Sequence, residues 1–181
     1  MEPKIFGVGA HRTGSTSLMA ALRVFGYRTS HWKDRAEIRA DLESQRFRLS
    51  LMERVDAVSD LPIPTWYRQL AKAFPEAKFI LTVRDTESWL RSVERHMANR
   101  MFEQEEKEFY GRSNFDREHF SDRFERHNGE VLQYFAGSSD LLVMDIVGGD
   151  GWEVLCPFLG VSVPGQRKFP WKSRGENCIS E

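Results

Sequence analysis

Five short apolar runs, separated by stretches of helical periodicity, constrain the fold of this chain more than any other feature. The runs are Lys4–Gly9, Tyr27–Ser30, Ala57–Asp60, Lys78–Val83 and Leu141–Ile146. Strands that alternate with helices pair in parallel, and the helices then cover both faces of the sheet. The sequence therefore predicts an α/β fold, a three-layer sandwich with about five parallel strands, as a single domain over residues 1–181.

The segments between these runs carry apolar residues at helical spacing. Predicted helical segments are Leu18–Phe25, Asp34–Val55, Trp66–Phe74, a helix from Thr86, Asn99–Asn128 and Trp152–Leu159. Asp85 or Thr86 is the expected N-cap of the fourth. The charged segment with interleaved phenylalanines, Asn99–Asn128, is interpreted as an amphipathic surface helix or as a lid over a pocket.

Composition excludes several classes of function. A net charge of −1 over 181 residues provides no global field for a nucleic-acid backbone. The first residues lack a signal-peptide pattern, and no apolar run approaches the length of a membrane span. Cys156 and Cys178 fit no metal-ligand spacing and are predicted to be reduced thiols. These features indicate a cytoplasmic protein with no membrane span and no nucleic-acid partner.

A polar, glycine-containing loop links the first predicted strand to the first helix. It runs from Gly9 to Ser17 and lies at the carboxyl end of a parallel strand, where such sheets bind ligands. Backbone N–H groups and the helix dipole favour an anion there. Gly9 and Gly14 have the spacing of a nucleotide-triphosphate P-loop, but Ser15 stands where that motif requires lysine. Arg12 is the cation of this loop instead.

A second candidate anion site follows the strand Lys78–Val83. Arg84 comes directly after that strand, and Ser92 lies two helical turns into the next helix. A guanidinium offers a planar fork of donors suited to phosphate, so Arg84 and Ser92 are predicted to converge on one phosphate. The alternative for Arg84 is a surface ion pair with Asp85 or Glu87.

Taken together, the two segments resemble the sulfotransferase family. Its phosphosulfate loop reads [KR]-[ST]-G-[ST]-[ST], which is matched here by Arg12–Thr16, and its 3′-phosphate motif is an arginine after a strand followed eight residues later by serine. The late block Gly151–Pro164 is also similar to short sulfotransferase-like proteins. The resemblance spans nearly the whole chain. It implies a P-loop-type fold and transfer of the sulfuryl group of 3′-phosphoadenylyl sulfate (PAPS), in line, to a hydroxyl or amine, with 3′-phosphoadenosine 5′-phosphate (PAP) as product and no metal required.

The resemblance also implies roles for particular residues. Arg12 is the candidate for neutralising the leaving phosphate. The proposed nucleotide-binding residues are Arg12, Thr13, Gly14, Ser15, Thr16, Ser17, Arg84, Ser92, Lys172 and Arg174. Asp60, at the end of a strand, is the favoured general base, and His31 is the second candidate. His11 replaces the proline common in relatives, which leaves a contact to the leaving phosphate open.

Two other functions remain open from the sequence alone. A small-molecule kinase of the P-loop class would use Asp145 to hold magnesium, although the missing lysine argues against it. A nucleotide-binding module without catalysis is the second alternative. The expected partner is a small-molecule or glycan acceptor, which the sequence does not identify, and the oligomeric state is equally open.

Overall fold

The computed structural model describes residues 3–31, 34–98 and 100–171. Its strands are β1 (Ile5–Gly7), β2 (Thr29–His31), β3 (Ala57–Ser59), β4 (Lys78–Thr82) and β5 (Leu141–Met144). Its α-helices are α1 (Ser15–Val24), α2 (Arg35–Glu43), α3 (Tyr67–Ala73), α4 (Thr86–Met97), α5 (Gln104–Tyr110), α6 (Arg117–Tyr134) and α7 (Trp152–Leu159). Two 3₁₀ turns span Ser50–Glu53 and Ile63–Trp66.

The five strands form one sheet in the order β2-β3-β1-β4-β5, and every pairing is parallel. In the central strand, Ile5 lies opposite Ala57 on one side and Lys78 on the other. All five predicted strands are present, each within two residues of its predicted start and shorter at the carboxyl end except for β2. The predicted α/β fold is therefore confirmed.

Both faces of the sheet are covered, because successive strand residues point to opposite sides. Ile5 and Ile80 belong to a buried cluster with residues of α1 and α7. Phe6 and Phe79 belong to another cluster, with residues of α3 and α6. The near-continuous apolar runs of β1 and β4 follow from this double burial.

The connections that follow β1 and β4 lead in opposite directions across the sheet, β1 toward β2 and β4 toward β5. The helix that follows β1 packs on one face, whereas the connection from β4 to β5 returns through α6 on the other. Such a switch point opens a crevice beyond the carboxyl ends of the two strands. The loops that carry Arg12 and Arg84 flank this crevice.

A third apolar cluster supports the crevice. It packs α4 and α6 against the loops after β1 and β3, with Trp89 stacked on Phe124 at 4.1 Å between ring centroids. The Trp89 Nε1 group donates to the backbone carbonyl of His11 at 2.9 Å. This bond fixes the loop between β1 and α1 to α4, so packing and loop position are coupled.

Two predicted helices were wrong in extent. The segment Asp34–Val55 breaks after α2, where Gln45 adopts a φ of +54°, and resumes as a 3₁₀ turn. The segment Asn99–Asn128 contains two helices, because Gly111 ends α5 in a left-handed conformation and Asp116 caps α6. Its phenylalanines are core residues: Phe102, Phe109, Phe120 and Phe124 are buried.

Within the described ranges, no helix combines the length and apolar character needed to cross a membrane. Cys156 is a buried free thiol, as predicted, whereas Cys178 lies outside the described residues. The single-domain extent over residues 1–181 stays a prediction.

Candidate active site

Tight packing requires both glycines of the loop between β1 and α1. A Cβ atom on Gly9 would lie 2.2 Å from Thr82 Oγ1, and one on Gly14 would lie 3.0 Å from the Cβ of Ile146. Gly14 also has a φ of +104°, which side chains rarely tolerate. The loop therefore lies directly against the ends of β4 and β5.

Buried hydroxyl groups hold the loop in shape. Thr13 Oγ1 donates to the carbonyl of Ala10 at 2.6 Å and lies 2.6 Å from Thr82 Oγ1. Because the Thr13 proton is used on Ala10, Thr82 is the donor of the second bond. Thr13 is fully buried, which indicates a structural role for its side chain.

The N-terminus of α1 is open to an anion. Gly14 is its N-cap residue, no side chain caps the helix, and its first turn contains no acidic residue. The backbone N–H groups of Ser15, Thr16 and Ser17 belong to this first turn, where an α-helix has no internal acceptors. The positive end of the helix dipole adds to the attraction for an anion.

The two predicted anion-binding segments meet at Arg12. The Nε atom of Arg12 donates to Ser92 Oγ at 3.2 Å, and Arg84 Nη1 donates to the carbonyl of Arg12 at 3.1 Å. Arg84 also donates from Nε and Nη2 to Ser88 Oγ, at 3.0 and 2.8 Å. Ser92 thus lies at the predicted place but contacts Arg12, and Ser88 is the serine that contacts Arg84.

Positive charge accumulates around Arg84. Burial lowers the pKa of its guanidinium, the charges of Arg12, Arg95 and Arg91 lower it further, and Asp145 opposes them. Such mutual repulsion is unfavourable in the ligand-free chain and is relieved by an anion. The cluster is therefore electrostatically suited to phosphate groups.

The two candidate bases lie together at the ends of β2 and β3. His31 Nε2 is 3.3 Å from Asp60 Oδ2 and 3.1 Å from Ser15 Oγ. An ionised carboxylate only accepts hydrogen bonds, so the contact with Asp60 places a proton on Nε2. Asp60 Oδ1 accepts the N–H of Leu61 at 2.9 Å, and the side chain is buried. Both bases therefore connect to the start of α1 through Ser15.

Backbone strain occurs at two of these residues. Arg12 has a φ of +67° and Asp60 a φ of +79°, a left-handed conformation that costs most L-residues about 1–2 kcal/mol. Strained residues of this kind cluster at ligand and active sites.

We expect Arg12→Gly to be more stable than Arg12→Ala by about 1 kcal/mol, because only glycine adopts a positive φ without cost. Urea denaturation of the two variants measures this difference. Equal stability would mean that residue 12 does not keep its left-handed conformation. Both variants lack the guanidinium and serve as a matched pair in binding experiments.

A profile of the sulfotransferase domain family matches residues 4–107 and 96–178. The chain belongs to the sulfotransferase family. It is also 26% identical to the Ava biosynthesis cluster protein M of Aspergillus versicolor, in an alignment 211 positions long that covers 92% of this chain and 79% of that protein.

Two aspartates for which the sequence offered a role in this sulfotransferase accept backbone hydrogen bonds next to α4 and β5. Asp85, not Thr86, caps α4, where its side chain accepts the N–H of Ser88. Asp145 accepts the N–H of Gly148 in the turn after β5. Among the described residues, Arg84 forms no ion pair with Asp85 or Glu87. Lys172 and Arg174 lie outside the described residues.

Sequence reasoning missed Ser88, Arg91 and Arg95. A signal for them existed, since Ser88, Arg91, Ser92 and Arg95 follow the i, i+3, i+4, i+7 spacing of one helix face. No group of three or more His, Cys, Asp or Glu side chains suited to a metal ion occurs in the described part of this sulfotransferase.

Proposed function

We propose that this sulfotransferase moves the sulfuryl group from PAPS to a hydroxyl or amine of a small-molecule or glycan acceptor. The observation that carries the proposal is the convergence of Arg12, Arg84 and Ser92 beside the uncapped start of α1. These groups form a donor set for an anion with two separate phosphate groups, which PAPS and PAP provide.

In the proposed complex, each phosphate has its own set of donors. The first-turn N–H groups of α1 and the hydroxyls around Gly14 bind the 5′-phosphate. Arg84, Ser88 and Ser92 bind the 3′-phosphate, with Lys172 and Arg174 proposed to cap it. Arg12 lies between the two and neutralises charge on the leaving phosphate. Because arginine stays protonated, its effect is electrostatic and no proton is transferred from it.

The proposed reaction is a single in-line displacement at sulfur. Asp60 accepts the proton of the attacking hydroxyl or amine while His31 holds the carboxylate in place through Nε2. The new bond forms between sulfur and the acceptor atom, and the bond between sulfur and the bridging phosphate oxygen breaks. Its electron pair stays on PAP, next to Arg12, where positive charge stabilises the transition state.

A cavity beside the turn that follows β3 offers space for the acceptor. It has a volume of about 330 Å³ and lies between α2, the turn Ile63–Trp66 and α5. Pro62, which lines it, is two residues from Asp60, and Trp66 and Leu42 supply apolar walls. We propose that the acceptor enters from this side, which brings its nucleophile to the base.

Trp66→Ala is expected to raise the KM for the acceptor about tenfold while leaving PAP affinity unchanged, because it removes an aromatic wall of the cavity. The ring also packs on Phe47 and against the core, so thermal unfolding is used to check that the variant is folded. The acceptor is first found by a screen of phenols, amines and sugars with ³⁵S-labelled PAPS. Tyr134→Ala, which removes an exposed aromatic ring on α6, is the control. An unchanged KM in Trp66→Ala would rule out this cavity as the acceptor site.

Calorimetric titration with PAP, and separately with magnesium-ATP, tests the proposed function. Tight binding of PAP that ATP does not match is the expected result. A preference for magnesium-ATP would support a P-loop small-molecule kinase. Binding of PAP without transfer to any acceptor would support a nucleotide-binding module that lacks catalysis.

A further inference from the structure

The imidazole of His11 is buried within the phosphate loop, and only one of its two ring nitrogens has a hydrogen-bond partner among the described residues. The residue is 6% exposed and directly precedes Arg12. Its backbone carbonyl accepts from Trp89, which fixes its place in the loop. Its Nδ1 atom lies 3.4 Å from the hydroxyl of Tyr110, and its Nε2 atom is buried and has no hydrogen-bond partner among the described residues.

Counting donors and acceptors assigns the proton of this ring. Tyr110 is also buried, and burial raises the pKa of its hydroxyl well above the ordinary value, so the hydroxyl keeps its proton. If Tyr110 donates to Nδ1, a single group is left unpaired, the N–H at Nε2. If Nδ1 donates to Tyr110, both the tyrosine proton and the Nε2 lone pair lack partners. The first arrangement leaves fewer unpaired groups and is favoured.

Burial keeps the ring neutral near neutral pH. Burial lowers the pKa of His11 to about 3; Asp60 opposes this shift, and His96, Arg100 and Arg12 reinforce it. These groups are the charges that face the ring. His11 therefore offers a fixed, uncharged donor in a positively charged loop, where an anion is the natural acceptor.

We infer that His11 Nε2 donates a hydrogen bond to the 5′-phosphate of the bound nucleotide, an inference that rests on the proposed function. The two ring nitrogens point in well-separated directions, so the contact of Nδ1 with Tyr110 leaves Nε2 available for another partner. Admission of a phosphate oxygen requires a neighbouring side chain to turn aside. His96 is suitably placed, since its ring is exposed and 5.7 Å away between centroids.

The test compares two nucleotides that differ only at the 5′ position, PAP and adenosine 3′-monophosphate. The variant His11→Phe with Tyr110→Phe removes the donor and its partner together, so that no hydroxyl is left unpaired. We expect it to bind PAP about 10- to 30-fold more weakly than the wild type, which is the loss of one hydrogen bond to a charged group. Its affinity for the monophosphate is expected to stay within about twofold of the wild-type value, because this nucleotide lacks the 5′-phosphate.

Two further variants separate binding from structure. His11→Gln places an amide N–H near the position of Nε2 and is expected to recover most of the PAP affinity. Tyr110→Phe alone keeps the ring and is expected to change PAP affinity less than the double variant. Thermal unfolding without ligand shows whether each variant is folded, and the added stability at saturating PAP gives a second measure of affinity.

Either of two results would overturn the inference. The first is that the double variant binds PAP as tightly as the wild type. The second is that it loses affinity for PAP and for the monophosphate equally, which would indicate a structural role for His11. Failure of the wild-type protein to bind PAP at all would instead contradict the proposed function, so the two failures are distinguishable.

Discussion

Replacing Arg84 by alanine is expected to weaken PAP binding about 100-fold or more, the loss of two charge-assisted hydrogen bonds to one phosphate. Among the residues that the structure describes, this guanidinium donates hydrogen bonds to neutral partners, the Ser88 hydroxyl and the Arg12 carbonyl. It also lies among other arginines whose charges disfavour it. The Arg84 side chain is therefore well placed to bind an anionic ligand, whereas its charge contributes little to the stability of the ligand-free fold.

Calorimetry measures the affinity for PAP. Two further substitutions show whether the loss in Arg84→Ala comes from the charge or from the planar geometry of the guanidinium. Arg91→Ala removes an exposed arginine of α4, the helix that follows Arg84, so a loss of only a few fold is expected from screened, longer-range attraction. Arg84→Lys keeps the charge but not the planar fork, and an intermediate loss is expected. Urea denaturation should show little change for Arg84→Ala, because relief of repulsion offsets the lost hydrogen bonds. Wild-type affinity in Arg84→Ala would exclude Arg84 from the nucleotide site.

Asp60→Asn is expected to lower kcat by about 10²–10⁴-fold, the usual contribution of a general base, while PAP affinity stays nearly unchanged. Asparagine has the shape of aspartate and tolerates a positive φ at least as well, so the loop after β3 keeps its conformation. Steady-state kinetics with the acceptor found by the labelled-donor screen, together with calorimetry on PAP, measure the two effects separately.

His31→Gln decides between the two bases. If Asp60 is the base and His31 holds it in place, His31→Gln lowers kcat less than Asp60→Asn, and the double variant is no worse than Asp60→Asn alone. The reverse order, with activity retained in Asp60→Asn and lost in His31→Gln, would assign the base to His31. Their separation of 3.3 Å makes strong coupling between the two substitutions an expected result under either assignment.

Periodicity and local sequence determined the fold class and predicted where the candidate site lies. The apolar runs that became β1 and β4 are nearly continuous because these strands are covered on both faces. The sequence also placed Gly9, Gly14, Arg12 and Arg84 at the carboxyl ends of strands, which meet at one edge of a parallel sheet. The helix boundaries were less accurate where a single residue, such as Gly111 in a left-handed conformation, ended a helix within a charged segment.

Only the tertiary structure decided which side chains meet within the site. The pairing of Asp60 with His31 and the contact of Ser92 with Arg12 join residues from separate elements. The burial of His11 Nε2 without a hydrogen-bond partner among the described residues likewise depends on how several elements pack around it. Local sequence patterns predict secondary structure and which end of a strand a residue lies at. They do not predict the distance between side chains on different strands and helices. Those distances depend on strand order, β2-β3-β1-β4-β5, and on how α4, α5 and α6 pack over the carboxyl edge.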